Sequence, residues 1–376
     1  MTLIDPVFLT QALVRCPSIT PEDAGAQDVM RDALNALGFS CRDLPFGNIK
    51  NLLARHGDSG PHICFCGHTD VVPTGEVSLW SHDPFSATIW DGKIIGRGTA
   101  DMKGNIAAFV AATSRFLQER PAFKGSISVL ITGDEEAEAV NGTVKVLEWM
   151  KDNNQLADFY LVGEPSNPDA IGDEIKIGRR GSLTGTLTVN GIQGHVAYPD
   201  RADNPLPKLI ILLAALEACI FDEGTAHFPA THLEIVNIDV GNKADNIIPA
   251  SGKAKFNIRF NDLWSAATLE KKLREILDAC EFPYTLSTTS NAAAFITQPG
   301  ALTDLVSAAV KDVTGRTPKL STGGGTSDAR FAAAYGPVVE FGLLNKTIHK
   351  IDEHIMIDDL KLLTAVYQKI LENYFS

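Results

Sequence analysis

The stretch His-Ile-Cys-Phe-Cys-Gly-His-Thr-Asp, residues 62–70, sets the reading of this chain. Residues 62–66 form a short apolar run that ends directly before His68. Two more runs repeat the arrangement: Ser-Ile-Ser-Val-Leu-Ile-Thr at 126–132 ends before Asp134, Glu135 and Glu136, and Phe-Tyr-Leu-Val-Gly at 159–163 ends at Glu164. Length and β-branched or aromatic content read each run as a buried strand. In open α/β sheets, ligands gather beyond the carboxyl ends of the strands. Polar groups placed at three such ends therefore predict an α/β fold on which they converge into one site.

The residue types point to metal chemistry. Zinc accepts neutral imidazole nitrogen and carboxylate oxygen, and a catalytic site uses about three protein ligands per metal so that one position stays open to water. With Asp101 and His349 added, two histidines and three carboxylates serve two metals if one carboxylate bridges. Plainer readings hold elsewhere. Asp134 and Glu138 read as a solvated acidic loop, and His56, His62, His82, His227, His232 and His354 as surface or packing residues. Of these, His354 is the competitor to His349.

Composition narrows the function classes. The 376 residues are 44% hydrophobic and 21% charged, as in ordinary globular proteins. A formal net charge of −13 argues against nucleic acid and anionic lipid as partners. Residues 1–16 carry Asp5 and Arg15 without a long apolar core, so no signal peptide is expected; no apolar stretch reaches 18 residues, and the cytoplasm is the expected location. The six cysteines (16, 41, 64, 66, 219 and 280) lack the spacing of a disulfide framework and read as reduced core residues.

Length predicts two domains. Helices are expected at 6–15, 23–37 and 105–119. From 182 onward the pattern changes: strand-like alternation at 182–189, an apolar helix at 205–221, alternation at 233–240 and 254–260, an amphipathic helix at 266–280, and a strand at 284–287. This is β-α-β-β-α-β, a ferredoxin-like unit. It holds none of the expected ligands, whereas His349 lies beyond it. The predicted organisation is a split catalytic domain, residues 1–178 and 293–376, with an inserted domain at 179–292. Residues 323–325 are three glycines without the Gly-Lys-Ser/Thr ending of a phosphate loop. They are expected to open a helix at Thr326, Ser327 and Asp328 whose amides receive a carboxylate.

Seven stretches carry a family resemblance: Gly-His-Thr-Asp-Val-Val-Pro (67–73), Gly-Arg-Gly-Thr-Ala-Asp-Met-Lys-Gly (96–104), Thr-Gly-Asp-Glu-Glu (132–136), Gly-Glu-Pro (163–165), Gly-Arg-Arg-Gly-Ser-Leu (178–183), Gly-His-Val-Ala-Tyr-Pro (194–199) and Ser-Thr-Gly-Gly-Gly-Thr-Ser-Asp-Ala-Arg-Phe (321–331). Over its whole length the chain resembles the co-catalytic zinc aminoacylases and carboxypeptidases. The last three stretches point within them to the bacterial succinyl-diaminopimelate desuccinylases. The implied fold is α/β: a catalytic domain with a central mixed sheet flanked by helices, plus an inserted ferredoxin-like α+β lid and dimerisation domain.

The resemblance implies two Zn2+ per subunit, the second site also suiting Co2+ or Mn2+. His68 and Glu164 would hold one metal, Glu136 and His349 the other, with Asp101 bridging. Asp70 would orient and polarise His68, as carboxylates behind metal-bound histidines do. Glu135 would be the general base, taking the proton of the attacking water and passing it to the departing amine. The implied reaction is hydrolysis of N-succinyl-LL-2,6-diaminopimelate to succinate and LL-2,6-diaminopimelate; the alternatives are a related N-acyl amino acid deacylase, such as an acetylornithine deacetylase, or a non-catalytic binding protein on a decayed hydrolase scaffold. An anionic substrate calls for arginines and polar donors, for which the motifs offer Arg179, Arg180, Tyr198, Asn246, Arg259, Gly325, Thr326 and Asn345. A homodimer through the inserted domain is implied too, with His195 donating to the oxyanion in the neighbouring subunit's site.

Overall fold

The computed structural model describes residues 3–376, so Met1 and Thr2 of the expected first segment lie outside the description. The chain divides into two compact units. One holds the residues up to Gly178 together with Thr297–Ser321 and Ser327–Ser376; the other holds Arg179–Ile296 and Thr322–Thr326. The pentapeptide 322–326, which sequence continuity assigns to the C-terminal segment of the catalytic domain, thus groups with the second unit, and Gly325 and Thr326 go with it.

The first unit is built on an eight-stranded mixed sheet in the order Ser40–Asp43, Leu52–His56, Ser126–Thr132, His62–His68, Phe159–Val162, Val338–Glu340, Glu174–Lys176, Lys319–Ser321. Strands His62–His68 and Ser126–Thr132 are buried at every position, which is why they read as continuous apolar runs and not as alternation. Helices cover the sheet. Gly104–Glu119 packs against Ile357–Tyr374, and between them the Phe65 ring stacks on Phe109 at 4.2 Å while Tyr367 meets both edge-on. Such aromatic pairs add about 0.5–1.5 kcal/mol each beyond the area they bury. The first helix, Pro6–Val14, begins at Asp5, whose carboxylate accepts the amide of Val7 at 2.7 Å. Among the described residues no helix is long and apolar enough to cross a membrane.

The second unit contains a four-stranded antiparallel sheet in the order His232–Asp239, Ser251–Phe260, Gly181–Asn190, Thr285–Ala292. With helices Pro205–Glu217 and Ala266–Asp278 the chain order is strand, helix, strand, strand, helix, strand. The core lies between helices and sheet, with Leu187, Leu212, Phe256 and Leu273 completely buried. Gly181 and Gly185 face Phe260 and Phe256 across the ladder. A Cβ at either glycine would come within 2.1 Å of the opposing ring, so the aromatic rings occupy the space these residues leave.

Candidate metal centre

Sheet register sets the first half of the site. His62–His68 runs parallel to Ser126–Thr132 with His68 opposite Thr132, and parallel to Phe159–Val162 with Cys66 opposite Val162. The three strands end level. His68, the 134–136 loop and Glu164 consequently emerge side by side.

His68 is buried, with Nδ1 2.9 Å from the backbone oxygen of Asp70. A carbonyl partner fixes the proton on Nδ1 and leaves the Nε2 lone pair facing forward. That Nε2 lies 3.3 Å from Oδ1 of Asp101 and 3.6 Å from Oε1 of Glu164. On the other side, Nε2 of His349 lies 3.0 Å from Oε1 of Glu136 and 3.4 Å from Oδ2 of Asp101. Asp101 therefore offers one carboxylate oxygen to each histidine. Ligand-type atoms within 4.8 Å of one another form the groups His68, Asp101, Glu164 and Asp101, Glu136, His349, and a third group joins His68, Glu135 and Glu136.

The Asp70 carboxylate does something the sequence did not suggest. Its Oδ1 stays 3.6 Å from the imidazole, beyond hydrogen-bond range. Its oxygens instead accept the amides of Glu135 at 3.3 Å and Glu136 at 3.1 Å, so Asp70 pins the loop carrying both glutamates, and its carbonyl orients His68. Asp134 likewise departs from the solvated reading. It is buried, and its Oδ2 accepts the amides of Val140 and Asn141, both at 2.9 Å, closing the same loop. His354 turns Nδ1 to the carbonyl of Asp352 at 2.7 Å and belongs to none of the three groups.

The electrostatics are those of an acidic pocket needing positive charge. Burial pushes the Glu135 carboxyl well above its ordinary range, and the nearby charges of Asp328, Glu136 and Asp101 add to this against the opposing pull of His68. Glu164 is raised in the same direction, by burial and then by Asp101 and Glu135. His349 is pushed up to about 10 by its contacts with Asp101 and Glu136. For His68, burial opposes the charged form but is outweighed by Asp101 and the surrounding carboxylates, so its affinity for a proton is also well above normal. Imidazole nitrogen and carboxylate oxygen, without thiolate or amine, make a donor set that fits divalent zinc or a similar borderline cation. Cations at these positions would satisfy the carboxylates that protons and histidines otherwise balance.

A further residue, Glu353, is completely buried beside Asp101, with its carboxylate on the amides of Ala100 and Asp101. Among the other expected residues of the first unit, Asn345 is half-buried and its amide donates to the carbonyl of Asn167 at 3.0 Å.

The second unit gathers its expected residues into small clusters of its own. His195 lies in the short strand Gly194–His195, paired with Ile247–Ile248. Its Nδ1 accepts the amide of Ala197 at 3.0 Å, which places the proton of the neutral ring on Nε2. The amide of Val196 donates to Asn246, and the Tyr198 ring lies 5.7 Å from the imidazole. Burial, followed by the nearby charge of Arg259, lowers the proton affinity of Arg180. Nη1 of Arg179 donates to the carbonyls of Gly323 and Gly325 at 3.4 and 3.0 Å. In the first unit, the helix expected at 326–328 is only Ala329–Ala332, too short to build the aligned dipole that would favour an anion.

Known proteins with the same pattern are informative. The chain is 54% identical over 377 residues to the succinyl-diaminopimelate desuccinylase of Rhodospirillum centenum, an alignment covering 99% of this chain and 98% of that protein. Among solved structures it resembles the M20 family metallo-carboxypeptidase Sso-CP2 from Sulfolobus solfataricus, with a TM-score of 0.79 at 18% identity over 98% of this chain and 99% of that one. It also resembles Bacillus subtilis YXEP, a dinuclear metal-binding peptidase of the M20 family, with a TM-score of 0.74 at 14% identity over 99% and 98% of the two chains. The model of peptidase family M20/M25/M40 matches residues 64–373, and the chain belongs to that family.

Proposed function

We propose that this protein hydrolyses the amide bond of N-succinyl-LL-2,6-diaminopimelate, releasing succinate and LL-2,6-diaminopimelate in the biosynthesis of diaminopimelate and lysine. The observation that carries the reading is full-length identity above half to a desuccinylase, in a chain whose Asp101 faces a histidine with each carboxylate oxygen.

The residues assigned to metal are His68 and Glu164 on one side, Glu136 and His349 on the other, and Asp101 between. Two zinc ions, with Co2+ or Mn2+ as substitutes at the second position, would polarise the scissile carbonyl and ease deprotonation of water. The chain's own residues do the rest. Glu135, held by the Asp70 contact to its amide, takes the proton of the attacking water and hands it to the amine nitrogen as the C–N bond breaks. Its place beside His68 and Glu136, within reach of both ligand groups, suits a group that must both accept and return a proton. His195, with its proton on Nε2, is assigned to the developing oxyanion. Arg179, Arg180, Arg259, Tyr198, Asn246, Gly325, Thr326 and Asn345 are assigned to substrate. The closeness of Arg180 and Arg259 supports this, because like-charged guanidiniums beside each other favour an anion.

The second unit is the proposed lid, and the protein is proposed to be a homodimer joined through it. Support comes from the strand His232–Asp239, which among the described residues pairs on one side only, and from exposed Val236, Ile238, Ile210 and Ile211. An open strand edge flanked by apolar side chains is a surface that proteins ordinarily cover. A cytoplasmic location fits the six thiols, all free.

The test is a panel of N-succinyl, N-acetyl and longer N-acyl amino acids assayed with metal content measured alongside. Preference for N-succinyl-LL-diaminopimelate with about two metals per chain is expected. Preference for an N-acetyl substrate would select the acetylornithine-type reading, and metal binding without hydrolysis would select a binding protein.

A further inference from the structure

The five proposed ligands are not held in the same way. His68 and Glu164 stand at strand ends whose register the sheet fixes. Asp101 and His349 sit in irregular backbone. Asp101 has extended angles inside the bent segment Thr99–Lys103, and His349 is in the left-handed region with φ of 60°, a conformation that non-glycine residues adopt at a cost. Segments of that kind keep a fixed shape only where something outside them over-determines it.

The only fully buried glutamate adjoining both segments among the described residues is Glu353. One of its oxygens, Oε1, accepts the amides of Ala100 at 2.9 Å and Asp101 at 3.1 Å. The other, Oε2, accepts the amide of Gly98 at 3.0 Å and Nη1 of Arg97 at 2.7 Å. Arg97 is buried as well and donates to the carbonyl of Lys350, next to His349, at 3.2 Å and to that of Pro73, beyond Asp70, at 3.3 Å. The Trp80 ring covers the guanidinium at 5.3 Å. One buried ion pair thus joins the segment of Asp101, the segment of His349 and the segment just after Asp70.

We infer that Glu353 is a positioning residue for the metal centre: with Arg97 it sets the backbone that presents Asp101 to both ligand groups and ties the His349 segment to the same frame. This rests on the ligand assignment proposed above. Its consequence differs from that of any single ligand, because Asp101 is common to both groups and the Glu353 carboxylate holds Asp101 by its amide. Loosening Glu353 should weaken both metals together, whereas removing Glu136 or Glu164 should weaken one.

The test uses Glu353→Gln, which keeps the shape but turns one acceptor oxygen into an NH2 that faces backbone donors. Metal stoichiometry is tracked by chelator titration, and the Co2+-substituted protein by its visible spectrum. In Glu353→Gln both metal equivalents should be lost at lower chelator concentration than in the unaltered protein, with affinity at each site down roughly 10–100-fold, the size expected for removing a group that orients a ligand. The Co2+ bands should shift, kcat should fall more than KM rises, and Glu353→Asp should recover part of each loss. A purely structural role would lower the melting temperature and leave the spectrum and affinities alone, and that outcome overturns the inference. So does a folded Glu353→Gln that keeps both affinities within about threefold. Should Glu353→Gln fail to fold, hydrogen exchange on the metal-free native protein decides: the amides of Gly98, Ala100 and Asp101 should be protected, and exchange at open-loop rates would refute the clamp. If Glu136→Gln and Glu164→Gln each retain two metals, the ligand assignment fails, while the exchange result still stands on its own.

Discussion

Glu135 and Glu136 are adjacent, and the geometry leaves either able to bind metal, since both lie with His68 in one group of ligand-type atoms within 4.8 Å. Replacing each by glutamine, which keeps the shape and removes the charge, separates their roles. Glu136 Oε1 lies 3.0 Å from Nε2 of His349, and a glutamine there loses a charged donor from a group of only three. Glu136→Gln should therefore lose about one metal per chain. Glu135 is the base in the proposed reaction, and a glutamine cannot carry the proton. General acid-base catalysis is worth roughly 10²–10⁴-fold, which corresponds to about 2.7–5.4 kcal/mol in the barrier at 1.36 kcal/mol per factor of ten. Because Glu135 serves both proton transfers, the loss should lie at the upper end of that range. The assay is kcat on the N-succinyl substrate with metal measured on the same preparation. Glu135→Gln should keep close to two metals while losing at least 10³-fold in kcat. Full activity, or metal loss equal to that of Glu136→Gln, would sink the division of labour.

The same geometry sets other expectations. Arg259→Leu should weaken turnover of an N-succinyl substrate by roughly 30-fold or more beyond its effect on an N-acetyl analogue, since an anion bound in the site and left without its charged partner costs several kcal/mol; equal losses in kcat/KM on both would mean that Arg259 reads a shared part of the substrate or holds the fold. Mixing inactive Glu135→Ala subunits with inactive His195→Ala subunits should restore activity if the histidine acts in the partner's site, because one site then combines an intact Glu135 with an intact His195; verified mixed dimers without activity would refute that arrangement. His62 is buried, with Nδ1 3.1 Å from the carbonyl of Leu156 and Nε2 2.8 Å from Ser128, and burial, then Arg55, lowers its pKa to about 4. Between that value and the unfolded value near 6.5 the unfolded chain binds the extra proton, so stability present above pH 6.5 is lost as pH falls toward 4, by about 3 kcal/mol at 1.36 kcal/mol per unit. His62→Gln should show less of this loss in urea unfolding across that window, and an unchanged pH profile would count against it.

What the sequence made legible was local. The strands at 62–68, 126–132 and 159–162 announced themselves because burial on both faces requires uninterrupted apolar residues, and the polar groups after them had to emerge at one end of the sheet. Glu353 gave no such signal. Its partners are backbone amides more than 250 positions away, and an amide carries no residue identity that a pattern could flag. Asp70 and Asp134 were visible as acids but not as loop-pinning acceptors, for the same reason: the groups they bind are main chain. The short Ala329–Ala332 helix shows the converse. Glycines before Thr326, Ser327 and Asp328 look like a helix start, yet the length of a helix depends on the residues that follow, and here it ends at Ala332, capped by Ala333.

The contrast in burial between the ligand groups leads to one more expectation. His68, Asp101 and Glu164 are each less than a tenth exposed, and their positions are set by sheet register and by the backbone behind Asp101. In the other group, the His349 side chain is 49% exposed and its backbone is left-handed. A cation among buried carboxylates is screened little by water, so each contact is stronger there than at an open edge, and ligands already in place lose less freedom on binding. The first equivalent of Co2+ or Zn2+ added to metal-free protein should therefore enter the group of His68, Asp101 and Glu164, and the second should bind more weakly at the side of His349. Titration of Glu164→Gln should abolish the tight phase and that of Glu136→Gln the weak one. If Glu136→Gln instead removes the tight phase, burial does not set the order of filling, and the exposed histidine holds the stronger site.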